Sequence, residues 1–437
     1  MEEESIMSTT AAAVGQTSSK RRTAILAGVI GNVLEWYDFA VYGYFVPVIS
    51  QLFFPNQTPL VSLLLTFSVF GVGFVMRPIG SVVFGQYGDR HGRKRALSAV
   101  IFLMAISTFA VGLLPTYASI GVLAPLLLVV ARLAQGLSGG GEWGGAAAYL
   151  VEYALPGKRG LTGSWQQVSV GCGFFLGSLT AAVLTTWISP EDMLAWGWRI
   201  PFLLGVLVGI VGAVMRWRLD DTPKFAELES QGQVAQSPLR EAFTTFRKPT
   251  LIAFGITLHN TVGYYAVLIY LTTWLTNIVK MPRSTALWIG TVCLLAFVVV
   301  VPLMGALSDR IGRRPLFIAS CVGYIVLAYP MFLLASTGVP AYAFVAQLVL
   351  VLLLALYAGP GPAVYCELFP TRVRYTALSV GYNIPVAIFG GFAPFIATWL
   401  IHSTGNPLSP AYYVIAASLV TLVTMLWVKE TASEPLG

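Results

Sequence analysis

Apolar residues in this chain fill whole stretches; they neither alternate with polar ones nor mark a single helical stripe. Twelve stretches stand out, over 23–52, 59–86, 96–114, 120–150, 162–187, 195–217, 249–278, 284–306, 316–336, 341–366, 375–402 and 409–428. Each approaches or exceeds the roughly 20 residues that carry a helix across the hydrocarbon core of a bilayer. Every backbone N–H and C=O in that core must be bonded within its own segment, so the pattern predicts helices. A closed β-barrel would show short alternating segments. The expected fold is all-α, a polytopic membrane protein with 12 transmembrane helices.

Lysine and arginine set the expected orientation. With the N-terminus in the cytoplasm, 21 of the 26 basic residues fall in cytoplasmic segments. The outside loops hold two, Lys280 and Arg283, while Arg77, Arg132 and Arg199 lie within spans or at their ends. This bias predicts that both termini are cytoplasmic. The longest polar stretch, 218–248, carries Pro223, Pro238 and mixed charges and separates six spans from six. The expected domains are a disordered N-terminus (1–22), a six-helix bundle (23–217), a cytoplasmic linker (218–248), a second bundle (249–428) and a short cytoplasmic tail (429–437).

Composition narrows the classes. Hydrophobic residues make up 56% of the 437 and charged residues 10%, against about 25% charged in soluble domains. That excludes a soluble enzyme, a nucleic-acid binder and a disordered scaffold. The net charge of +7 reflects where basic residues sit beside a membrane, not a polyanionic partner. Cys172, Cys293, Cys321 and Cys366 lie within or at the end of apolar segments and form no metal or redox spacing, so they read as small core residues. No cleavable signal is expected after Lys20-Arg21-Arg22, and Met7 is an alternative start. No nucleophile–base pair or nucleotide loop supports a membrane enzyme or an ATP-driven pump.

An internal repeat matches the two halves. Gly85-Gln86-Tyr87-Gly88-Asp89-Arg90-His91-Gly92-Arg93-Lys94 follows span two, and Gly305-Ala306-Leu307-Ser308-Asp309-Arg310-Ile311-Gly312-Arg313-Arg314 follows span eight. A weaker echo joins Glu152, Pro156 and Arg159 to Glu367, Pro370 and Arg372. Two matching six-helix halves are the arrangement of a transporter whose site lies between repeats at mid-membrane.

Ionisable residues inside spans default to function. Glu35 and Asp38 lie about 60° apart on span one, with Tyr42 between them in angle and Asn32 about 60° beyond Glu35. Either acid is a proton-coupling candidate, and Asp38 is preferred. Arg132 on span four shares a face with Gln135, Gly139 and Glu142. It can pair with Glu35 or Asp38, or grip a substrate carboxylate with two parallel hydrogen bonds. Exchange between these partners would couple solute to proton; a permanent ion pair is the rival reading. Gly136, Gly140 and Gly144 read as close helix packing. Arg77 and Glu142 are a candidate gating pair. Span seven offers His259, Asn260, Tyr264 and Tyr265, with His259 equally readable as packing. Trp36 and Tyr37 abut the acids and could cage a quaternary ammonium.

The paired G-x3-D-R-x-G-R-[KR] loops resemble those of the major facilitator superfamily. Within it, four stretches resemble the metabolite:proton symporter family of bacterial inner membranes. They are Gly31-Asn32-Val33-Leu34-Glu35-Trp36-Tyr37-Asp38-Phe39, Arg77-Pro78-Ile79-Gly80, Arg132 through Trp143, and Trp196-Gly197-Trp198-Arg199-Ile200-Pro201-Phe202. The resemblance implies two pseudo-symmetric six-helix bundles (the major facilitator fold) and alternating access driven by protonmotive force, without a cofactor. It implies one cavity lined also by Gln166, Gln167, Tyr382 and Asn383. It further implies gating by Asp89, Arg90, Arg93, Asp309, Arg310 and Arg313, with Glu152 and Glu367 as partners, and possible outer-gate support from Arg199.

The expected function is proton symport, by a monomer in the bilayer, of a small polar organic solute. Arg132 stands where proline/betaine carriers have lysine, which favours a di- or tricarboxylate or related organic acid. Pro410-Ala411-Tyr412-Tyr413 and Lys429-Glu430-Thr431 resemble the proline/betaine type and keep that zwitterionic alternative open. The tail lacks the extended coiled coil of osmoregulated members. A proton-driven exporter is a further alternative.

Overall fold

A computed structural model describes residues 32–33, 35–91, 93–140, 142–206, 244–434 and 436, with backbone only for 85–91, 93–98, 142, 371–373 and 375–376. The described residues form helices and short connections, without strands. The spans are α1 (35–53), α2 (Pro59–His91), α3 (Arg93–Leu113), α4 (Leu123–Ser138, resuming as Glu142–Glu152), α5 (Arg159–Trp187) and the start of α6 (200–206). After the 207–243 segment come α7 (Arg247–Asn277), α8 (Arg283–Ile311), α9 (Arg314–Ala335) and α10 (Pro340–Glu367). The last two are α11 (Thr371–Pro385, continuing to Thr404) and α12 (Ser409–Thr424). The expected N-terminus and most of the expected linker lie outside the described residues.

The solvent the chain is built for can be read from its surface. Phe102, Val130, Val299, Val326 and Val423 are exposed, while Glu35, Asp38, Arg77 and Arg132 are buried. In lipid, apolar side chains carry no penalty outside, and charged ones must find partners inside. Burial also separates central from peripheral helices. In α7, 94% of the apolar window is buried, against 39% in α9. The central helix meets protein on every side; the peripheral one shows a face to lipid.

Small residues set how closely the helices cross. A Cβ added at Gly136 would lie 1.6 Å from the Gly73 carbonyl oxygen, and one at Gly140 would lie 1.9 Å from that of Arg77. From the other helix, a Cβ on Gly80 would lie 1.8 Å from the Leu137 carbonyl oxygen. The glycine stripe of α4 therefore serves backbone-to-backbone packing on α2, as its spacing suggested. Its last member, Gly144, faces Ser379 of α11 instead.

The helices before and after 207–243 meet along two seams. On one, α5 lies on α8: Gly160 and Gly305 oppose each other and Ser178 bonds Thr291 at 2.7 Å. On the other, Gly71 and Phe74 of α2 meet Phe392 and Gly391 at the α11 bend. Between the seams, α1 touches α7 through Gly43 and Ile269, and the Tyr44 hydroxyl donates to the Leu268 carbonyl at 2.7 Å. Gly140→Val should lower the midpoint of thermal unfolding in detergent, by an overpacking cost of about 1–3 kcal/mol. An unchanged midpoint would show that α2 and α4 can part freely there.

Candidate functional site

The site is assembled from α1, α2 and α4. Glu35 and Asp38, three residues apart, share one face of α1. Arg77 of α2 pairs with Glu35, and both are buried. Gln135 Nε2 of α4 donates to Asp38 Oδ2 at 2.6 Å, and Gln135 Oε1 accepts from Arg132 Nη1 at 2.9 Å. Arg132 therefore reaches Asp38 through the amide of Gln135, which also lies 3.1 Å from the Thr108 hydroxyl. Two acids and two guanidiniums balance in charge.

Two glycines make room for this cluster. A Cβ at Gly139 would lie 2.8 Å from Glu35 Oε1, and one at Gly73 would lie 3.3 Å from Arg132 Nη2. Aromatic faces supply the rest of the cation environment. Arg77 lies over Trp36, Phe39 and Phe74 at 4.6–4.9 Å. Arg132 lies over Phe39, Tyr42 and Phe70 at 4.4–5.5 Å. Such contacts stabilise a cation with little water. Several bonding positions remain open among the described residues: Asp38 Oδ1, Arg132 Nε and Nη2, Arg77 Nε and Nη1, and the Tyr265 hydroxyl. Buried polar atoms without partners are uncommon and point to a ligand, a water or a changing partner.

Several expectations change. Arg77, expected as a candidate gating partner of Glu142, bonds Glu35 of α1, beside Gly139 of the α2–α4 crossing. The Glu142 side chain lies outside the described residues. Arg132 contacts neither acid directly, since Gln135 stands between it and Asp38. Asn32 is used up inside the first half: it donates to Ser169 at 2.6 Å and accepts from Trp36, tying α1 to α5. The ring nitrogens of His259 sit 2.9 Å from the Ser418 hydroxyl and 2.8 Å from that of Ser320, so this histidine is a packing residue within the second half. Trp36 and Tyr37 form no free cage. The Trp36 face holds Arg77, and the Tyr37 hydroxyl donates to the Pro201 carbonyl.

Other candidates do gather where the halves meet. The Tyr264 hydroxyl donates to Gln167 across the halves. Asn383 Nδ2 donates to the Gly140 carbonyl at 2.9 Å, leaving its Oδ1 without a partner. Tyr382 stacks on Trp143. Among the described residues, Gln166 is fully buried with both side-chain amide atoms unbonded, and Asn260 Oδ1 is likewise unbonded. The Tyr42 hydroxyl donates to the Thr66 carbonyl, leaving its ring for Arg132. Two π-helical segments, Tyr264–Tyr270 in α7 and Val386–Gly390 in α11, approach each other where a Cβ on Gly390 would lie 2.9 Å from the Tyr265 ring. Such turns are frequent at functional sites, and no residue pattern in the chain announces them.

Charged side chains close one end of the bundle. Asp309 accepts the backbone N–H groups of Gly160 and Leu161 at 2.8 and 2.9 Å, so it caps the N-terminus of α5 from the other half. Arg313 holds Asp309 at 2.8 Å and Glu367 at 3.4 Å. Arg159 reaches Glu367 at 3.3 Å, and Arg374 reaches Glu152 at 2.7 Å. Arg310 is exposed and lies outside this network. The side chains of Asp89, Arg90 and Arg93 lie outside the described residues.

Sequence reasoning missed two further ties. The tail folds back over the network: Glu430 accepts the N–H groups of Arg313 and Arg314 at 2.9 and 3.0 Å, and Arg159 donates to the Thr431 and Ala432 carbonyls. At the opposite end Arg283, read only as a loop charge, crosses the halves to the Tyr44 carbonyl at 2.9 Å. Arg199 bonds the Gly112 and Leu114 carbonyls within the first half, so it fixes α3 to α6 and does not bridge the halves.

The comparisons decide the family. The model of the sugar (and other) transporter family matches residues 23–240 and 224–437, one match for each half. The chain belongs to this family of the major facilitator superfamily. Its relatives include the glycine betaine/proline/ectoine/pipecolic acid transporter OusA of Dickeya dadantii, 38% identical over 424 residues, which cover 95% of this chain and 84% of that protein. The proline/betaine transporter of Escherichia coli K12 is 36% identical over 426 residues, covering 95% and 85%. Among solved structures, the xylose transporter XylE from E. coli in a partially occluded inward-open conformation superposes with a TM-score of 0.77 over 96% of this chain and all of that one. At 19% identity that likeness shows the fold, a 12-helix major facilitator protein.

Two outcomes test the geometry. Arg77→Ala should destabilise the protein by about 3–5 kcal/mol, because it strips a buried acid of its cation, and adding Glu35→Gln should recover much of the loss. Detergent unfolding of both variants checks this; a double variant no better than the single one would uncouple the pair. Burial alone would raise the Glu430 carboxyl, but the N–H groups of Arg313, Arg314 and Ala432 hold it below its ordinary value. A depressed carboxyl contributes stability above its unfolded pKa and loses it as pH falls through the folded one. Protection of the tail amides, taken relative to the intrinsic exchange rate at each pH, should therefore stay flat between about pH 5 and 8 and fall only in stronger acid, whereas Glu430→Gln should lower it at neutral pH.

Proposed function

We propose that this protein imports a small zwitterion of the proline/betaine type together with protons, across a bacterial inner membrane, by alternating access. The observation that carries the reading is the side-on face of Arg132. Its Nε and Nη2 are both buried and unbonded among the described residues, one amide away from Asp38. That pair of N–H groups matches the two oxygens of a carboxylate. Once a solute carboxylate takes Arg132, Asp38 loses part of the positive field that favours its charged form, and proton uptake becomes easier. Glu35 remains paired with Arg77 and serves as the structural member of the two acids.

The relatives side with the zwitterionic alternative over the di- or tricarboxylate first drawn from Arg132. Electrostatics favours the same choice. A zwitterion adds no net charge to a cluster already in balance, whereas a dianion would bring uncompensated charge into a low-dielectric site. A neutral solute with one proton carries one positive charge inward, which gains about 2.3 kcal/mol per 100 mV. A dianion would need at least two protons to avoid moving against the potential.

The basic end that holds Arg159, Arg313 and Arg374 is assigned to the cytoplasm by the excess of lysine and arginine there. Both termini then lie inside. In this reading, opening to the cytoplasm breaks the Asp309–Arg313–Glu367–Arg159 network and the tail contacts. Opening to the outside releases Arg283 from Tyr44.

Labelled proline, glycine betaine and a set of di- and tricarboxylates, offered at several pH values to cells lacking their own carriers, test the solute class. Uphill, pH-dependent uptake of proline or betaine is expected, and uptake of a dicarboxylate alone would restore the other reading. Asp38→Asn should reduce accumulation to equilibration while leaving exchange. Proton-driven accumulation at the wild-type level in that variant would remove Asp38 from coupling.

A further inference from the structure

One aromatic group between the halves has no part in the ion cluster. Trp143 of α4 and Tyr382 of α11 stack face to face, with centroids 3.7 Å apart and planes 5° from parallel. Tyr365 of α10 stands edge-on to both, at 5.3 and 5.7 Å and 88° in each case. All three rings are buried. Bonds from the Tyr365 hydroxyl to Thr257 and Tyr357 fix its orientation. Aromatic pairs left to themselves prefer offset or edge-to-face geometry over a full sandwich. The stack is thus imposed by the helices that carry it, one from each half, and parting them costs little ring attraction.

Polar atoms around this group are open. Trp143 Nε1, Ser379 Oγ and Asn383 Oδ1 are buried without partners among the described residues. The group is also continuous with the ion cluster. Trp143 follows Gly139 by four residues, and a Cβ added at Gly139 would come within 3.2 Å of Arg77 Nη2. The rings of Trp36, Phe39, Tyr42, Phe70 and Phe74 already face the guanidiniums of Arg77 and Arg132. The Trp143, Tyr365 and Tyr382 faces carry no such cation among the described residues.

We propose that Trp143, Tyr382 and Tyr365 form the binding box for the positively charged group of the solute, collapsed on itself in this conformation and opened when α4 and α11 separate. Two parallel ring faces and a perpendicular third ring are three walls of a cage for an alkylated ammonium. The box then takes the onium between one ring face from each half, α4 supplying Trp143 and α11 supplying Tyr382. Because Trp143 and Tyr382 come from different halves, occupancy of the box reports how far the halves have parted. This inference rests on the zwitterionic reading.

The test is uptake of labelled glycine betaine by wild type, Trp143→Phe, Trp143→Leu and Tyr382→Leu. Its carbon isostere 3,3-dimethylbutanoate, which keeps the carboxylate and lacks the charge, serves as competitor. Loss of ring face should raise KM for betaine about tenfold in each leucine variant and about threefold in Trp143→Phe, with inhibition by the isostere unchanged. Should a leucine variant fail to fold, as judged by size exclusion in detergent, the phenylalanine variant carries the measurement. A KM unchanged in every folded variant, with only the maximal rate altered, would make the stack a packing lock and overturn the box. Wild type that accumulates neither betaine nor proline would overturn the zwitterionic reading, and the box with it.

Discussion

Charge held away from water is the constraint on which this structure depends. Glu35, Asp38, Arg77 and Arg132 are all at most 2% exposed. Unpaired, any one of them would cost several kcal/mol. The protein meets that cost with equal numbers of each sign, one direct ion pair, one amide bridge and aromatic faces beneath both guanidiniums. The compensation is incomplete. Among the described residues, one oxygen of Asp38 and two N–H positions of Arg132 lack partners, so the cluster keeps bonding capacity in reserve.

The backbone arrangement follows from that cluster. Arg77 reaches Glu35 because α2 and α4 cross at glycine-to-backbone distance, and Gly139 leaves space beside the pair. The same small-residue logic closes the seams between halves, where Gly160 meets Gly305 and Gly43 meets Ile269. Contacts of this kind gain little on separation but lose little either, since apolar surfaces in a bilayer are not driven together by water. The specific hold at each end falls to a few polar groups: Asp309 on the α5 N-terminus and the tail on Arg313 at one end, Arg283 on the Tyr44 carbonyl at the other. Few polar bonds thus hold the halves together at each end of a charged centre.

Glu430 and Arg159 add a connection that runs through the tail. Arg159 belongs to the first half and Arg313 to the second, and residues 430–432 contact both. The tail thereby spans the seam between the halves. Each of these bonds joins a backbone group to the side chain of Glu430 or Arg159, so the tie needs both the path of the chain and those two side chains.

Much was legible in the sequence because the bilayer imposes simple rules. Apolar length placed the spans within a few residues of the observed helices, and the glycine spacing of α4 foretold its close crossing. Glu35, Asp38 and Arg132 stood out because charge inside a span needs a reason. Which partner each takes was not legible. The choice of Arg77 for Glu35, the insertion of Gln135 before Asp38, the withdrawal of His259 to Ser320 and Ser418, and the π turns of α7 and α11 all depend on helix rotation and depth. Hydropathy carries no information on either, because lipid accepts any apolar face equally. The chain alone determined that this is a multi-helix membrane protein with a charged interior; only the packing of helices against one another decided which charges meet, and with what capacity left over.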